Sequence, residues 1–238
     1  MTKNIFLSIP KRIEASSQAD GTAKLYLAGT VGAWYDGITF KEVRQAMSEI
    51  SSDTVEVHIN SYGGDMFEGI AIKNYLKQLD KTVIVVIDGI AASAASVIAM
   101  AGDTIKMPKD TQIMIHNPWT WAAGNAKELR KIADDLEKSQ TSIEESYLAH
   151  FKGTRDELRA LLDEETSLTA EEAVMLGLAD ELIEETDVAS KDELISDSEA
   201  SVRENLIAKY GTEIMSEQSE NESVQTTKGL ERFAKLFR

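Results

Sequence analysis

Ser93 lies in the run Asp88-Gly89-Ile90-Ala91-Ala92-Ser93-Ala94-Ala95-Ser96-Val97-Ile98. A β-branched stretch over residues 82–87 leads into a Gly turn, and a small-residue, helix-forming stretch follows. That setting places a hydroxyl at a helix start, where free N–H groups favour developing negative charge. Small neighbours let a second backbone approach closely. A serine hydroxyl is a weak nucleophile at neutral pH and needs a base within hydrogen-bond reach. The chain has three histidines: His58, His116 and His150. His58 falls in the middle of an alternating stretch and reads as structural or interfacial. His150 ends a charged helical pattern and reads as a surface residue. His116, in Met114-Ile115-His116-Asn117-Pro118, closes an apolar strand and is the best base candidate. Ser96 and Ser61 are the other serines that compete with Ser93. The chemistry such a serine and histidine perform together is acyl transfer.

Other chemistries find little support. The chain has no cysteine, hence no thiol nucleophile and no disulfide framework. No clustered set of His, Cys, Asp and Glu has metal-ligand spacing, and no cofactor is expected. Gly63-Gly64 lacks the Lys-Ser/Thr that completes a phosphate loop. A net charge of −16 argues against sequence-independent nucleic-acid binding. The apolar stretch around residues 90–101 is too short and Ala-rich for a membrane span, and the first ten residues lack the apolar core of a secretory signal.

The elements that must position Ser93 and His116 are legible as patterns. Strands are expected over residues 24–29, 54–60, 82–87, 104–107 and 112–116. The run 82–87 is continuously β-branched, as in a strand covered on both faces. Thr39 and Glu42 form a capping-box pattern ahead of a helix with Val43, Ala46, Met47 and Ile50 on one face. Residues 66–79 and 125–151 read as further helices. Alternating strands and helices imply an α/β fold with a mainly parallel sheet flanked by helices. In such sheets functional sites gather at the carboxyl ends of strands, and Asn60, Gly89 and His116 are each expected to close one.

Three segments, His58-Ile59-Asn60-Ser61-Tyr62-Gly63-Gly64-Asp65, the Ser93 run and the His116 run, together resemble the Clp protease proteolytic subunit family (ClpP). Tyr62 stands where that family usually has Pro. A fourth, from Leu168-Thr169-Ala170 to Gly177-Leu178-Ala179-Asp180, resembles the segment after the family's catalytic acid. Order and spacing agree over roughly residues 24 to 185. The resemblance implies a ClpP/crotonase-like fold and selects Ser93 as nucleophile and His116 as base. It leaves Ser96 as a helix-packing residue and Ser61 as part of the Gly loop. It implies an oxyanion hole from the N–H groups of Gly64 and Ala94, where loss of one donor costs about a hundredfold to a thousandfold in rate. Counting back from Leu168 puts the acid at Glu165, where the family commonly has Asp; Asp163 and Glu164 are close alternatives. Enoyl-CoA hydratase, a relative of the fold, performs acid/base hydration and has no use for a Ser93–His116 pair.

Residues 26–32 and 36–39, with Gly63-Gly64-Asp65-Met66-Phe67-Glu68-Gly69, resemble the ClpP-like head maturation proteases of tailed phages and prophages. That branch implies an ATP-independent serine endopeptidase cleaving scaffold or capsid proteins, and itself, in the bacterial cytoplasm or the assembling capsid. A peptidase dependent on an ATP-dependent Clp unfoldase and a non-catalytic ring-forming protein are the alternatives. The family also implies a homo-oligomer of seven-membered rings, often stacked, with the helix over 125–151 joining rings. Three regions are expected: an irregular segment 1–23, a protease domain 24–185, and an acidic tail 186–238. Within the tail, 191–210 reads as a helix and 229–238 as a basic amphipathic end.

Overall fold

The computed structural model describes residues 9–184. The expectations for the tail therefore lie outside the described residues. Eight strands form one sheet: β1 (Arg12–Ser17), β2 (Thr22–Val31), β3 (Thr54–Gly64), β4 (Thr82–Ala92), β5 (Thr104–Pro108), β6 (Gln112–Met114), β7 (Ser167–Thr169) and β8 (Glu181–Ile183). The order is β1-β2-β3-β4-β5-β8; β6 pairs with the far end of β4, and β7 with β6. The β1–β2 and β6–β7 pairs are antiparallel, and the other pairs are parallel. The helices are α1 (Phe40–Met47), α2 (Met66–Lys77), α3 (Ala94–Ala99), α4 (Ala126–Leu148), α5 (Arg155–Asp163) and α6 (Ala170–Leu176). The expected α/β architecture with a mainly parallel sheet is what the chain forms, although two of its strands run against the rest. No helix among the described residues is long and apolar enough to cross a membrane.

Local chemistry explains the elements. Thr39 caps α1 by accepting from the Glu42 N–H, and the Glu42 carboxylate returns to the Thr39 N–H at 3.2 Å. Asn125 and Glu128 do the same for α4. Apolar residues alternate along β2, β3 and β4, so Leu25, Leu27, Val55, Val57, Ile59, Val83, Val85 and Ile87 share one buried face.

Three features depart from the sequence reading. Residues 12–17 are not irregular. They form the edge strand β1, joined to β2 by a turn in which the Gly21 N–H donates to the Gln18 carbonyl. Gly21 has φ +87°, which suits glycine there. Second, β3 and β4 run beyond Asn60 and Gly89. Register shifts between Ile59 and Ser61 let the pairing resume at Ser61–Ala91. Asn60 and Gly89 are therefore mid-strand, and a Cβ at Gly89 would meet Asn60 Oδ1 at 2.9 Å. Third, β4 is not covered on both faces: Ile84 and Val86 are half-buried, on the side that carries Lys24, Tyr26, Glu56 and His58. That side is held by a Lys24–Glu56 ion pair at 3.0 Å and by stacking of Tyr26 on His58 at 4.8 Å.

Candidate active site

Ser93 occupies the single residue between β4 and α3. Its backbone is at φ 55°, ψ −126°, a conformation costing about 1–3 kcal/mol for a residue with a Cβ. The surroundings impose it. The Ser93 N–H donates to the Met114 carbonyl at 2.9 Å, and its own carbonyl accepts from the Ser96 and Val97 N–H groups. Every residue of α3 is buried, so the turn cannot relax without disturbing the core. A sharp strand–turn–helix of this kind presents a hydroxyl outward while its backbone is fixed.

The glycine loop packs against this turn. Gly63, at φ +88°, has no room for a side chain: a Cβ would meet the Ala92 carbonyl oxygen at 2.5 Å, Ser93 Cβ at 2.7 Å and the Ala94 nitrogen at 2.8 Å. At Gly64, φ +147°, a Cβ would meet the Val31 carbonyl oxygen more closely still. Gly69 of α2 has a similar approach to the Ala94 carbonyl. Glycine is needed here to bring the end of β3 and the start of α2 onto the Ser93 turn. The Ala94 N–H belongs to the first position of α3, where no intrahelical acceptor exists.

His116 follows β6, two residues past Met114. Its Nε2 is 2.7 Å from Ser93 Oγ. The ring is half-buried, and burial lowers its pKa below the usual 6.5, while the negative charge of Glu165 opposes that shift. Lowering wins, so the imidazole is neutral at pH 7 and able to accept the Ser93 proton. The backbone on either side is clamped to the turn between α5 and β7. The Ile115 N–H donates to the Thr166 carbonyl at 2.9 Å, and the Asn117 N–H to the Leu162 carbonyl at 3.2 Å.

That same turn carries the candidate acids. Glu165 sits at φ 49° with its side chain in solvent. Its charge acts on His116, but His116 donates to no carboxylate among the described residues. The Asp163 carboxylate instead accepts a hydrogen bond from the Asn117 side-chain amide. Glu164 caps the end of α5 and is exposed.

The remaining histidines stand apart from Ser93. His58 Nδ1 is 2.7 Å from Asp88 Oδ1 on the half-covered sheet face, in keeping with a structural or interfacial role. His150 is not a surface residue: it is half-buried, and Nε2 donates to the Met100 carbonyl at 3.2 Å. Ser61 is buried, and its hydroxyl accepts from the Gly63 N–H at 3.0 Å, holding the glycine loop in shape. Ser96 does more than fill space. Its hydroxyl lies 2.6 Å from the Ser93 carbonyl oxygen and 2.7 Å from the phenol oxygen of Tyr147 on α4. A hydroxyl one turn after Ser93 in an alanine-rich helix is the only sequence signal for it. Nothing in the sequence connects it to Tyr147.

The arrangement is suited to acyl transfer: a hydroxyl on a strained turn, an imidazole nitrogen 2.7 Å from it, a carboxylate within electrostatic reach, and backbone N–H groups nearby. A family model described as Clp protease matches residues 35–186. The match takes in Gly63, Gly64, Ser93, His116, Asp163 and Glu165, and omits β1 and β2.

Proposed function

The chain belongs to the Clp protease family and is a ClpP-like peptidase; we propose that it is a serine endopeptidase with Ser93 as nucleophile, His116 as general base and Glu165 as the acid. The observation that carries this reading is the 2.7 Å contact between His116 Nε2 and Ser93 Oγ on a backbone held at positive φ. In the first step Ser93 Oγ bonds to the peptide carbonyl carbon, and its proton moves to His116 Nε2. The carbonyl oxygen takes the negative charge and is held by the N–H groups of Gly64 and Ala94. The C–N bond then breaks, and His116 gives its proton to the departing amine. Water then gives a proton to His116 as its oxygen bonds to the acyl carbon, the bond from that carbon to Ser93 Oγ breaks, and His116 returns the proton to Ser93 Oγ, releasing the acid product. Glu165 favours the imidazolium formed in both halves through its charge.

The biological setting proposed is phage or prophage head maturation, in which scaffold or capsid proteins, and the chain itself, are cut without ATP. The motif variant from Gly63 to Gly69 supports this branch. A homo-oligomer, with rings of seven as the expected form, is supported by the half-covered sheet face around Ile84 and Val86. It is also supported by the largely exposed first half of α4. A second reading is a peptidase aligned by a partner such as an ATP-dependent unfoldase. It rests on the contact between His116 and Glu165, which is electrostatic and not a hydrogen bond.

The test is a fluorophosphonate probe with intact-mass detection on wild type, Ser93→Ala and His116→Ala. One adduct on wild type alone, mapped to Ser93, is the expected result. Absence of an adduct on assembled wild-type protein overturns the constitutive enzyme, and an adduct restored by an unfoldase selects the second reading. Cleavage of a co-expressed scaffold protein without ATP is the expected outcome for head maturation; no cleavage under those conditions rejects that role.

A further inference from the structure

The Ser96 side chain is fully buried, and three oxygen atoms surround its hydroxyl: the Ser93 carbonyl at 2.6 Å, the Met114 carbonyl at 3.0 Å and the Tyr147 phenol at 2.7 Å. A serine hydroxyl has one proton to give. The two carbonyls can only accept. Were that proton directed at Tyr147, the Ser96 oxygen would face two carbonyl oxygens with no hydrogen between them, in a site from which water is excluded. The consistent arrangement is directional. Tyr147 O–H donates to Ser96, and Ser96 O–H donates to the carbonyls, the nearer being that of Ser93. Burial raises the Tyr147 pKa far above the ordinary phenol value of 10.0, so the phenol stays a donor.

The two carbonyls belong to the segments that bear the reacting groups. One is the nucleophile's own. The other lies two residues before His116 and already accepts the Ser93 N–H at 2.9 Å. The Ser96 hydroxyl thus ties the α3 turn to the end of β6, and the distance between Ser93 Oγ and His116 Nε2 depends on how those two segments sit. Tyr147 fixes the direction of that tie from α4. This helix buries residues only toward its C-terminal end, Ile143, Glu144, Ser146 and Tyr147 among them.

We propose that Ser96 and Tyr147 are positioning residues for the peptidase reaction, Tyr147 acting through Ser96 to hold the Ser93 turn and the His116 strand in register. Neither touches the substrate. The proposal rests on the reading of Ser93 and His116 as nucleophile and base.

The test compares Ser96→Ala, Tyr147→Phe and the double variant with wild type. The readouts are the rate of fluorophosphonate labelling at Ser93, kcat and KM on a peptide substrate, and thermal unfolding. Ser96→Ala is expected to lower kcat and labelling rate about tenfold to a hundredfold, with KM within about twofold, because small misplacements of reacting groups are costly. Tyr147→Phe keeps the ring and removes one oxygen, and is expected to lower them about three- to tenfold by the same loss of alignment. The double variant should match Ser96→Ala alone, since Tyr147 acts through the serine. If Ser96→Ala does not fold, Tyr147→Phe decides. Variants that melt earlier yet label at the wild-type rate overturn the proposal and leave a purely structural role. Additive losses in the double variant overturn the action of Tyr147 through Ser96. Wild-type protein that takes no label at Ser93 overturns the underlying peptidase reading, and this proposal with it.

Discussion

The turn that holds Ser93 and the turn that holds Glu165 share an unusual backbone but differ in almost everything else. Both residues have positive φ, 55° and 49°. Ser93 is enclosed: β6 takes its N–H, α3 takes its carbonyl, Gly63 presses on its Cβ, and buried alanines surround it. Glu165 stands in solvent, flanked by exposed Asp163 and Glu164, and acts on His116 only through its charge. The difference teaches how the work is divided. The position of Ser93 is over-determined by packing, which is what preorganised catalysis would require of the proposed nucleophile. The Glu165 charge reaches His116 through a partly screened field, so its influence as the proposed acid is expected to be smaller.

The sharpest way to break this contrast is to loosen the enclosed turn. Gly63→Ala puts a Cβ within 2.8 Å of three atoms of the Ala92–Ala94 segment, on a backbone at φ +88°. Activity should fall at least about a hundredfold, because the reacting groups must shift. The melting temperature should also drop, since such a substitution destabilises by more than about 1 kcal/mol. Activity within twofold of wild type would show that the glycine loop does not set the Ser93 geometry.

A smaller effect is expected at the open turn. Glu165→Gln should lower kcat about tenfold, by loss of a partly screened charge that favours the imidazolium. Glu165 raises the His116 pKa, so its removal should also move the acid limb of the kcat/KM profile to lower pH. Asp163→Asn, at a carboxylate held by Asn117, should leave that limb in place. If Asp163→Asn moves the limb and Glu165→Gln does not, Asp163 is the acid and the contrast must be redrawn around it.

The smallest effect is read on the wild type alone. Because burial lowers the His116 pKa and outweighs Glu165, the midpoint of the acid limb should lie below the ordinary imidazole value of 6.5. A kcat/KM profile whose acid limb lies above that value would show that the carboxylate outweighs burial in the working enzyme. Glu165 would then be far closer to His116 than in the isolated chain.

How much of this was legible before folding depends on how local each feature is. The Ser93, His116 and Gly63-Gly64 segments could be read because each needs particular residues within a few positions. The capping box of Thr39 and Glu42 is local in the same way. Strand β1 is not legible along the chain because a short, half-exposed edge strand shows little hydrophobic signal until β2 pairs with it. The ends of β3 and β4 are not legible either, because a register shift depends on the neighbouring strand. The sequence does not choose between Glu165 and Asp163, because side-chain contacts and backbone angles in a turn are set by what packs against it, here Asn117 and the strand leading to His116.

The chain's own order of residues determined the fold class, the nucleophile and base candidates, and the family, since periodicity and motif spacing are written along the chain. Tertiary structure alone decided that Ser93 is strained and bonded to His116, that Asp163 is engaged by Asn117, and that Ser96 meets Tyr147 across 51 residues. Those facts depend on distances between segments remote in sequence, and packing of the sheet and helices is what sets such distances.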